Sequence, residues 1–382
     1  MDRQKQNFLN ILNAYVNDTP INVEEPDYDE ILRLAGINSL DAVVYSALKQ
    51  REITPNGFDM QSLEDEMGVT VIYTVKQEYM AKEVLRLLND NNIRHIVFKG
   101  YVIKDVYPSP ELRTMGDIDI IIDSEDRKKV FDILAANKFE FDDYTSHSEV
   151  LNYFKNGVMF EVHTKIFEDE KLAEYYKDCF KFAKCVEGCT YNFKTDDHFV
   201  YVLLHMAKHF AEGGCGIRML MDVVFYVKKY FAEMDWAYIS AQLKQLDIYG
   251  FAKHTLAMAN QYFGVEYPFE EKVDADISVL EYMINGGVFG YEDRNVDSIR
   301  VVEKNEGKFN PLSLVFPPYE ELTRRYLWAK KIPKFLLPVG WIAMWFYRLF
   351  IVKENSFKRF FTLLQSKKDA VKHKEMMKKA GL

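Results

Sequence analysis

Apolar residues recur at helical spacing along the first quarter of the chain. The spacing continues through Phe8–Tyr15, Ile31–Leu48 and Val71–Leu88, so residues 1–92 are predicted to be helical. After Thr195 the helical period returns and continues to the C-terminus, broken only where prolines interrupt it. Helices are therefore expected on both sides of the intervening stretch.

The intervening stretch contains short apolar runs bounded by turn residues, and such runs predict strands. The first two are Ile93–Phe98, which leads into Lys99-Gly100, and Asp117–Ile122. Ser124 is placed to cap a helix that continues to Asn137. Three further strands are predicted at Lys138–Phe141, Glu149–Phe154 and Val158–Ile166, with a hairpin turn at Asn156-Gly157 between the last two.

These patterns divide the 382-residue chain into four parts. We predict an N-terminal helical region over residues 1–92, an α/β core over 93–194, a helical domain over 195–320, and a C-terminal helical segment with a basic tail over 321–382. The predicted fold class is α+β: a small mixed β-sheet core with helices, flanked by N- and C-terminal helical regions.

Charge is distributed unevenly, and this limits the partners to be expected. The net charge is −9, but residues 353–382 hold nine Lys/Arg and three Asp/Glu, a local charge of +6. General nucleic-acid binding is not expected of an acidic chain. The basic tail is instead suited to an anionic membrane or an acidic partner.

Cysteine usage and the N-terminal residues both bear on the cellular compartment. The four cysteines lie between Cys179 and Cys215, with no CxxC pair and no histidine at a zinc-finger spacing. Buried reduced thiols are therefore predicted, and a zinc site is the weaker alternative. The first residues lack a long apolar segment followed by small residues at a cleavage site, so we expect a cytoplasmic protein.

One apolar segment complicates this expectation. Phe335–Val352 contains 18 residues with a single charge, Arg348. That length is at the lower limit for a spanning helix, and Pro338, Gly340 and Arg348 all disfavour one. We predict a buried or partner-covered helix. An interfacial helix, which would make the protein peripheral to the membrane, and a true span remain the alternatives.

The candidate chemistry centres on the second predicted strand. Strand alternation places Asp117 and Asp119 on one face, and Ile118, Ile120 and Ile122 on the other. Two carboxylates on one face repel each other, and a cation between them relieves that repulsion. Hard oxygen ligands favour Mg²⁺ or Mn²⁺. The alternative is a pair of solvent-exposed aspartates at the end of a strand.

The strand that begins at Val158 follows the same alternation. Val158, Phe160 and Val162 face the core, whereas Glu161 and His163 face the other way. If this strand lies beside the first, Glu161 supplies a third carboxylate, and three carboxylates can hold two metal ions.

Three residues near the first strand are candidates for phosphate binding. A glycine where a strand passes into a helix, here Gly100, lets backbone N–H groups approach a phosphate. Lys99 adds a point charge beside it, and Arg113 is placed to add a forked contact.

The helix that begins at Thr195-Asp196 and stops at Gly213-Gly214 has a polar stripe. Its members are His198, Tyr201, His205, Lys208 and Glu212, followed by Arg218 and Asp222 as an i,i+4 pair. The stripe is either a solvated face with one surface ion pair, or the lining of a nucleotide cleft with Lys208 and Arg218 near phosphates. A zinc pair of His205 and His209 is disfavoured because no Glu lies between them in the HExxH manner.

The ordered set of motifs resembles the uncharacterised nucleotidyltransferase family of the polymerase-β-like superfamily. The resemblance rests on Phe98-Lys99-Gly100, Tyr107-Pro108-Ser109-Pro110, Leu112-Arg113, Met115-Gly116-Asp117-Ile118-Asp119-Ile120 and Phe160-Glu161-Val162-His163. It implies that Gly100 is the phosphate-turn glycine, that Asp117 and Asp119 are the metal-binding pair, and that Glu161 is the third carboxylate. The superfamily usually has Gly-Ser at the turn, where this chain has Lys-Gly-Tyr. The resemblance covers about residues 93–225, including the helical block from Leu204 to Asp222.

The function expected from the motifs and the resemblance is Mg²⁺-dependent (or Mn²⁺-dependent) transfer of a nucleoside monophosphate from an NTP to an unidentified acceptor, with release of pyrophosphate. Catalysis and metal binding are assigned to Asp117, Asp119 and Glu161. Nucleotide binding is assigned to Lys99, Gly100, Arg113, Gly116, Lys208 and Arg218. The alternatives are a nucleotide-sugar glycosyltransferase and a non-catalytic nucleotide-binding or membrane-docked scaffold protein.

Overall fold

The predicted α+β class is confirmed in a computed structural model, which describes residues 1–55, 60–146, 148–288, 290, 316–347 and 369–382. The structure is 62% helical and contains a mixed sheet of seven strands within the described ranges. Helices lie before and after the sheet in the chain, as the hydrophobic pattern predicts.

Four helices precede the sheet, which confirms the helical prediction for the first 92 residues. They are α1 (Arg3–Asn17), α2 (Tyr28–Ile37), α3 (Asp41–Gln50) and α4 (Met60–Asp90). The first two begin at aspartates that accept a hydrogen bond from a backbone N–H of the first turn: Asp2 from Lys5, and Asp27 from Glu30.

The strands are β1 (His95–Phe98), β2 (Asp117–Ile122), β3 (Glu140–Phe141), β4 (Val150–Lys155), β5 (Val158–His163), β6 (Ala183–Glu187) and β7 (Thr190–Phe193). Their order across the sheet is β3-β4-β5-β2-β1-β7-β6. The sheet is mixed because β2 pairs parallel with β5, and β1 pairs parallel with β7, whereas the other pairs are antiparallel. The sequence pattern did not predict β6 and β7.

The register between β2 and β5 determines which side chains meet. Asp119 lies opposite Glu161, and Ile118 lies opposite Phe160. The apolar face of both strands is buried beneath α4 and α6 (Arg127–Ala136), in a cluster that includes Ile118 and Phe160. The opposite face, which carries Asp117, Asp119 and Glu161 and is called the acidic face below, turns away from this cluster. The two strands are neighbours, as the site hypothesis requires.

The hairpin between β4 and β5 is confirmed at Asn156-Gly157. Both residues have positive φ, 52° and 73°, which is the backbone that a type I′ turn requires. The short connection between β1 and β2 contains α5 (Gly100–Ile103) and two 3₁₀ turns, Lys104–Val106 and Pro110–Leu112.

The remaining helices follow the sheet. They are α7 (Glu170–Tyr175), which lies before β6, and α8 (Thr195–Glu212), α9 (Ile217–Tyr230), α10 (Trp236–Gln245), α11 (Tyr249–Phe263), α12 (Ile277–Gly286), α13 (Tyr319–Arg325) and α14 (Leu337–Phe346). Helix α8 ends at Gly213, with φ 155°, as predicted. Residues 369–380 are helical as well.

One apolar core joins the N-terminal helices to the helices after the sheet. It contains residues of α1 to α3, of α8 to α12, and of the helical segment at 369–380, for example Phe8, Phe199 and Met376. Side chains of α1 and α2 also cap the far helices: Asn17 donates to the carbonyl of Phe263 (3.1 Å), and Asn38 to that of Ile284 (2.9 Å).

The C-terminal end of the basic segment is packed against this core. His373 is 1% exposed, its Nδ1 lies 2.7 Å from the hydroxyl of Tyr282, and its Nε2 lies 3.0 Å from the carbonyl of Ala211. Lys372, Lys374 and Lys378 on the same segment are exposed. The described part of the basic segment thus combines a buried face with a cationic one.

The apolar segment Phe335–Val352 is only partly described, since residues 348–352 lie outside the described residues. Within its described part, α14 packs Gly340 and Met344 inward, whereas Phe335, Val339, Ile342 and Phe346 are exposed. None of the helices in the described ranges has both the length and the apolar composition that crossing a bilayer needs. Burial within the described residues thus covers only one side of α14, and cover of the exposed side by a partner or a membrane interface stays a prediction.

The four cysteines are free thiols. Cys179 and Cys215 are buried, whereas Cys185 is exposed and Cys189 is half-buried. The prediction of buried reduced thiols is thus confirmed for two of the four. Within the described residues, no cysteine joins a group of side chains that could hold a metal ion.

Two glycine substitutions test how the hairpin holds β5 in place. Gly157→Ala is expected to lower the free energy of unfolding by about 1 kcal/mol, because alanine tolerates a positive φ poorly. Gly68→Ala in α4 has open space around its new Cβ and should raise the free energy of unfolding by about 0.5–1 kcal/mol. Urea denaturation of both variants checks the two signs, and equal effects would contradict the assigned hairpin geometry.

Candidate active site

The centre of the site is the carboxylate of Asp119, which is 2% exposed. Its Oδ1 accepts a hydrogen bond from Lys99 Nζ at 2.6 Å and lies 2.8 Å from His163 Nε2. Glu161 completes the cluster, with Oε2 at 3.4 Å from His163 Nε2 and at 3.8 Å from Lys99 Nζ. Strands β1, β2 and β5 thus bring two carboxylates, an ammonium and an imidazole onto one face of the sheet.

Burial and charge set the protonation of the two aspartates in opposite directions. Burial raises the pKa of Asp117, and the nearby carboxylates of Asp119 and Glu161 raise it further, to about 6. Burial also opposes ionisation of Asp119, but the Lys99 ammonium and the hydrogen bond to His163 outweigh it and lower the pKa of Asp119. Asp119 is therefore the fixed anion of the site, and Asp117 is its proton-accepting carboxylate near neutral pH.

The two cationic partners respond to Asp119 in the same way. Burial acts to lower the pKa of Lys99, yet the charge of Asp119 raises it above its usual value. Burial likewise acts to lower the pKa of His163, and the hydrogen bonds to Asp119 and Glu161 raise it. The cluster therefore favours a charged lysine and a more basic histidine.

The turn after β1 is strained at Lys99 and crowded at Gly100. Lys99 has φ 52° and ψ −134°, a backbone conformation that residues with a side chain rarely adopt. A Cβ at Gly100 would lie 2.8 Å from Arg113 Nη1 and 3.2 Å from Met115 Cβ, so a side chain there would have to displace the Arg113 guanidinium. Backbone strain of this kind concentrates at functional sites.

Gly116 is different from Gly100. It is exposed, and a Cβ added there would meet no atom within 4 Å. The structure gives no steric reason for a glycine at this position, and its nucleotide contact stays a prediction.

The guanidinium of Arg113 forms a bidentate ion pair with Asp222 of α9. Arg113 Nε donates to Asp222 Oδ1 at 3.1 Å and Nη2 donates to Oδ2 at 2.9 Å, while the Tyr107 hydroxyl donates to Oδ1 at 2.7 Å. Both Arg113 and Asp222 are buried. This contact replaces the predicted i,i+4 pair of Asp222 with Arg218, and it joins the sheet to the helices that follow.

Arg218 points instead towards the loop before β2. Its Nη1 donates to the carbonyl of Thr114 at 3.2 Å, and its Nε has no hydrogen-bond partner among the described residues. Burial, followed by the neighbouring charge of Arg113, lowers the pKa of Arg218 to about 10. A buried guanidinium with an unused donor beside Asp117 is suited to an anionic ligand.

Helix α8 covers the acidic face, and its polar stripe is mostly buried. His198 is 3% exposed and Tyr201 is 1% exposed, so the alternative of a solvated face is wrong for this half of the stripe. Burial, together with the charges of His209, Lys99 and Lys208, lowers the pKa of His205 well below its usual value. A neutral His205 thus faces the site.

Lys208 lies in the C-terminal, solvent-exposed part of α8. Its side chain is 40% exposed, and its Nζ lies 3.9 Å from Glu212 and 5.8 Å from the centre of the Phe167 ring. Only the C-terminal half of the stripe, from Lys208 onward, therefore combines exposure with charge.

The sequence assignment omitted one residue of the cluster, His163. Ligand atoms of Asp119, Glu161 and His163 all lie within 4.8 Å of one another, which suits a single metal ion. These donors are two carboxylates, one of them the buried Asp119, and one imidazole, and together they fit a divalent cation. The signal was present in the sequence, since strand alternation already placed His163 on the face of Glu161.

Comparison with known proteins gives one match. A family model described as uncharacterised nucleotidyltransferase matches residues 24–264, which is more than half of the chain. A search of curated proteins and a search of solved structures each returned no match. The matched range includes β1, β2, β5 and α8, the elements that build the site.

The raised pKa of Asp117 predicts how stability depends on pH in metal-free buffer. The folded protein holds this proton up to about pH 6, whereas the unfolded chain loses it near pH 4, so this group's contribution to stability is lost as the pH rises through that window. Relative to wild type, Asp117→Asn should therefore gain about 1–3 kcal/mol in free energy of unfolding between pH 4 and pH 7.

Urea denaturation across this pH range, with a chelator present, measures the effect. Asp123→Asn, at the residue that follows β2 and pairs with Arg94, is the matched control. A stability difference for Asp117→Asn that stays constant from pH 4 to pH 7 would contradict the prediction.

Proposed function

Because the chain belongs to the uncharacterised nucleotidyltransferase family, we propose that it transfers a nucleoside monophosphate from an NTP to an acceptor and releases pyrophosphate. The observation that carries this proposal is the convergence of Asp119, Glu161 and His163 on one face of the sheet, beside Asp117 and Lys99. Converging ligands of this kind suit a divalent ion that binds a triphosphate.

The metal would be held by the acidic face. Asp119, Glu161 and His163 supply converging ligand atoms, and Asp117 lies near enough for the carboxylates to raise its pKa. We propose Mg²⁺ or Mn²⁺ as the ion; once bound, it lowers the pKa of an acceptor hydroxyl and neutralises charge on the leaving pyrophosphate. The imidazole of His163 adds a nitrogen ligand, which Mn²⁺ accepts more readily than Mg²⁺.

The chain's own residues supply positioning and proton transfer. Glu161 is proposed to accept the proton of the acceptor hydroxyl as its oxygen forms a bond to the α-phosphorus. The bond from that phosphorus to the β-phosphate oxygen breaks, and pyrophosphate leaves. Asp117, with a pKa of about 6, is a second base in reach of the same face.

Positive groups around the acidic face are proposed to bind the triphosphate. Lys99 and the crowded turn at Gly100 lie beside this face. Arg218, with its unused Nε, donates to the carbonyl of Thr114 near this turn, and Lys208 is the exposed cation of α8. Arg113 is proposed to contribute only through Nη1, because Asp222 engages the rest of its fork.

Substitution at Asp119 tests the proposed chemistry. Asp119→Asn is expected to lower turnover at least about a hundredfold, since it removes the central metal ligand. Asp123→Asn, at the residue that follows this strand and pairs with Arg94 outside the site, should retain wild-type turnover. The assay is pyrophosphate release with each of the four NTPs and Mg²⁺ or Mn²⁺, with circular dichroism as the check of folding. Full activity of Asp119→Asn would contradict the assignment.

We further propose that the protein associates with an anionic membrane surface through α14. The exposed residues Val339, Ile342 and Phe346 follow one another at spacings of three and four, so they share one face of α14, and exposed Phe335 lies in the 3₁₀ turn just before it. Exposed Lys331 and Lys334 precede this face. Residues 353–382 add a local charge of +6. An apolar face beside basic residues is typical of helices that lie in the membrane interface.

A matched pair of substitutions tests this surface. Ile342→Ser should weaken binding to phosphatidylcholine/phosphatidylserine vesicles at least about fivefold, because an isoleucine that inserts loses its apolar contact. Ile72→Ser on α4 is the control, because Ile72 and Ile342 are equally exposed, at 70% and 69%. Co-sedimentation with the vesicles at rising salt concentration measures how much of the binding is electrostatic, because salt screens that contribution. Wild-type binding by Ile342→Ser would contradict the proposal.

A further inference from the structure

Lys99 occupies the position where the cation of the proposed function would bind. Its ammonium lies 2.6 Å from Asp119 Oδ1 and 3.8 Å from Glu161 Oε2. Two of the three groups that converge on a metal-sized space are therefore already paired with a positive charge. A divalent ion bound to the same two carboxylates would repel the ammonium strongly at these distances.

The surroundings of Lys99 keep its charge in the site. Its side chain is only 20% exposed, so the ammonium is costly to leave without a partner. The charged groups that face it are Asp119, Glu161 and Asp117 on the acidic side, and His163 beside them. A neutral His205 approaches from α8. No other cation of the described residues lies within ion-pair distance of Asp119, apart from His163.

Lys99 lies beside the turn at which the triphosphate is proposed to bind. Lys99 is the residue that precedes Gly100, at the point where the chain passes from β1 into α5. A phosphate that approaches this turn offers the ammonium a new anionic partner. The side chain then leaves the carboxylates without losing its ion pair.

We propose that Lys99 is a resident counter-cation: it pairs with the carboxylates when no metal is bound, and a metal–nucleotide complex displaces it onto the triphosphate. This inference rests on the proposed function, and it assigns Lys99 a positioning role in addition to phosphate contact. Its consequence is a coupling between two ligands. Metal alone must expel the ammonium into a place without a partner, whereas metal with nucleotide provides one. Nucleotide and metal therefore strengthen each other's binding through this one side chain.

The test measures Mn²⁺ binding directly, by electron paramagnetic resonance of the free ion, with and without each NTP in turn. Lys99→Met removes the charge and keeps most of the length, and Lys99→Gln is a second variant that keeps a hydrogen-bond donor. Lys155→Met is the matched control: Lys155 is also 20% exposed and also lies 2.6 Å from a carboxylate, that of Glu83, outside the site.

Both Lys99 variants are expected to bind Mn²⁺ without nucleotide at least about tenfold more tightly than wild type, and to lose most of the strengthening that nucleotide gives. Thermal unfolding gives an independent readout. Without metal the variants should melt below wild type, because their carboxylates repel each other, and Mn²⁺ should raise their melting temperature more than that of wild type. Lys155→Met should match wild type in Mn²⁺ binding.

Two results would overturn different statements. If the Lys99 variants bind Mn²⁺ no more tightly than wild type while wild type still releases pyrophosphate, the counter-cation role is wrong and nucleotidyl transfer stands. If wild type binds no Mn²⁺ with any NTP and releases no pyrophosphate, the proposed function is wrong, whatever the Lys99 variants do.

Discussion

The charge of Asp119 is the constraint around which the sheet is organised. A carboxylate that is 2% exposed is stable only when cationic or hydrogen-bonding groups surround it. Strand β1 delivers Lys99 at its end, and β5 delivers His163, both to the same oxygen of Asp119. The parallel pairing of β2 with β5 and the antiparallel pairing of β1 with β2 are what make this meeting possible.

The arrangement has an energetic consequence for the free protein. Three carboxylates share one face, and burial, followed by the charges of Asp119 and Glu161, raises the pKa of Asp117. The site thus holds excess negative charge that Lys99 and His163 offset only in part. Such a site favours ligands that carry positive charge. In a metal–nucleotide complex the metal ion carries that charge, and it would bind at the carboxylates.

The sequence predicted the parts of the fold that depend on local periodicity. Alternation along β2 and β5 placed Asp117, Asp119 and Glu161 on one face, and the Asn156-Gly157 turn predicted its hairpin. It did not predict β6 and β7, because β6 is almost wholly exposed and has no alternation of apolar and polar residues to detect. The Thr190–Phe193 run was too short to stand out, and only its pairing with β1 gives it a place.

Contacts distant in sequence were beyond periodicity altogether. Arg113 and Asp222 are 109 residues apart, and no local pattern shows that the fork of Arg113 closes on Asp222 rather than on a ligand. The polar stripe of α8 was misjudged for the same reason. Helical spacing shows that His198 and Tyr201 share a face, but only the position of the sheet shows that this face is buried.

The shared core of the first and later helices has a consequence for how the protein is made. Helices α1 to α3 leave the ribosome about 200 residues before α11 and α12, the later helices that pack on α1 and α2. During that interval the nascent chain exposes residues such as Phe8 and Leu12, which are fully buried at the end. Transiently exposed apolar surface of this kind is prone to aggregation until the helices that cover it have been made.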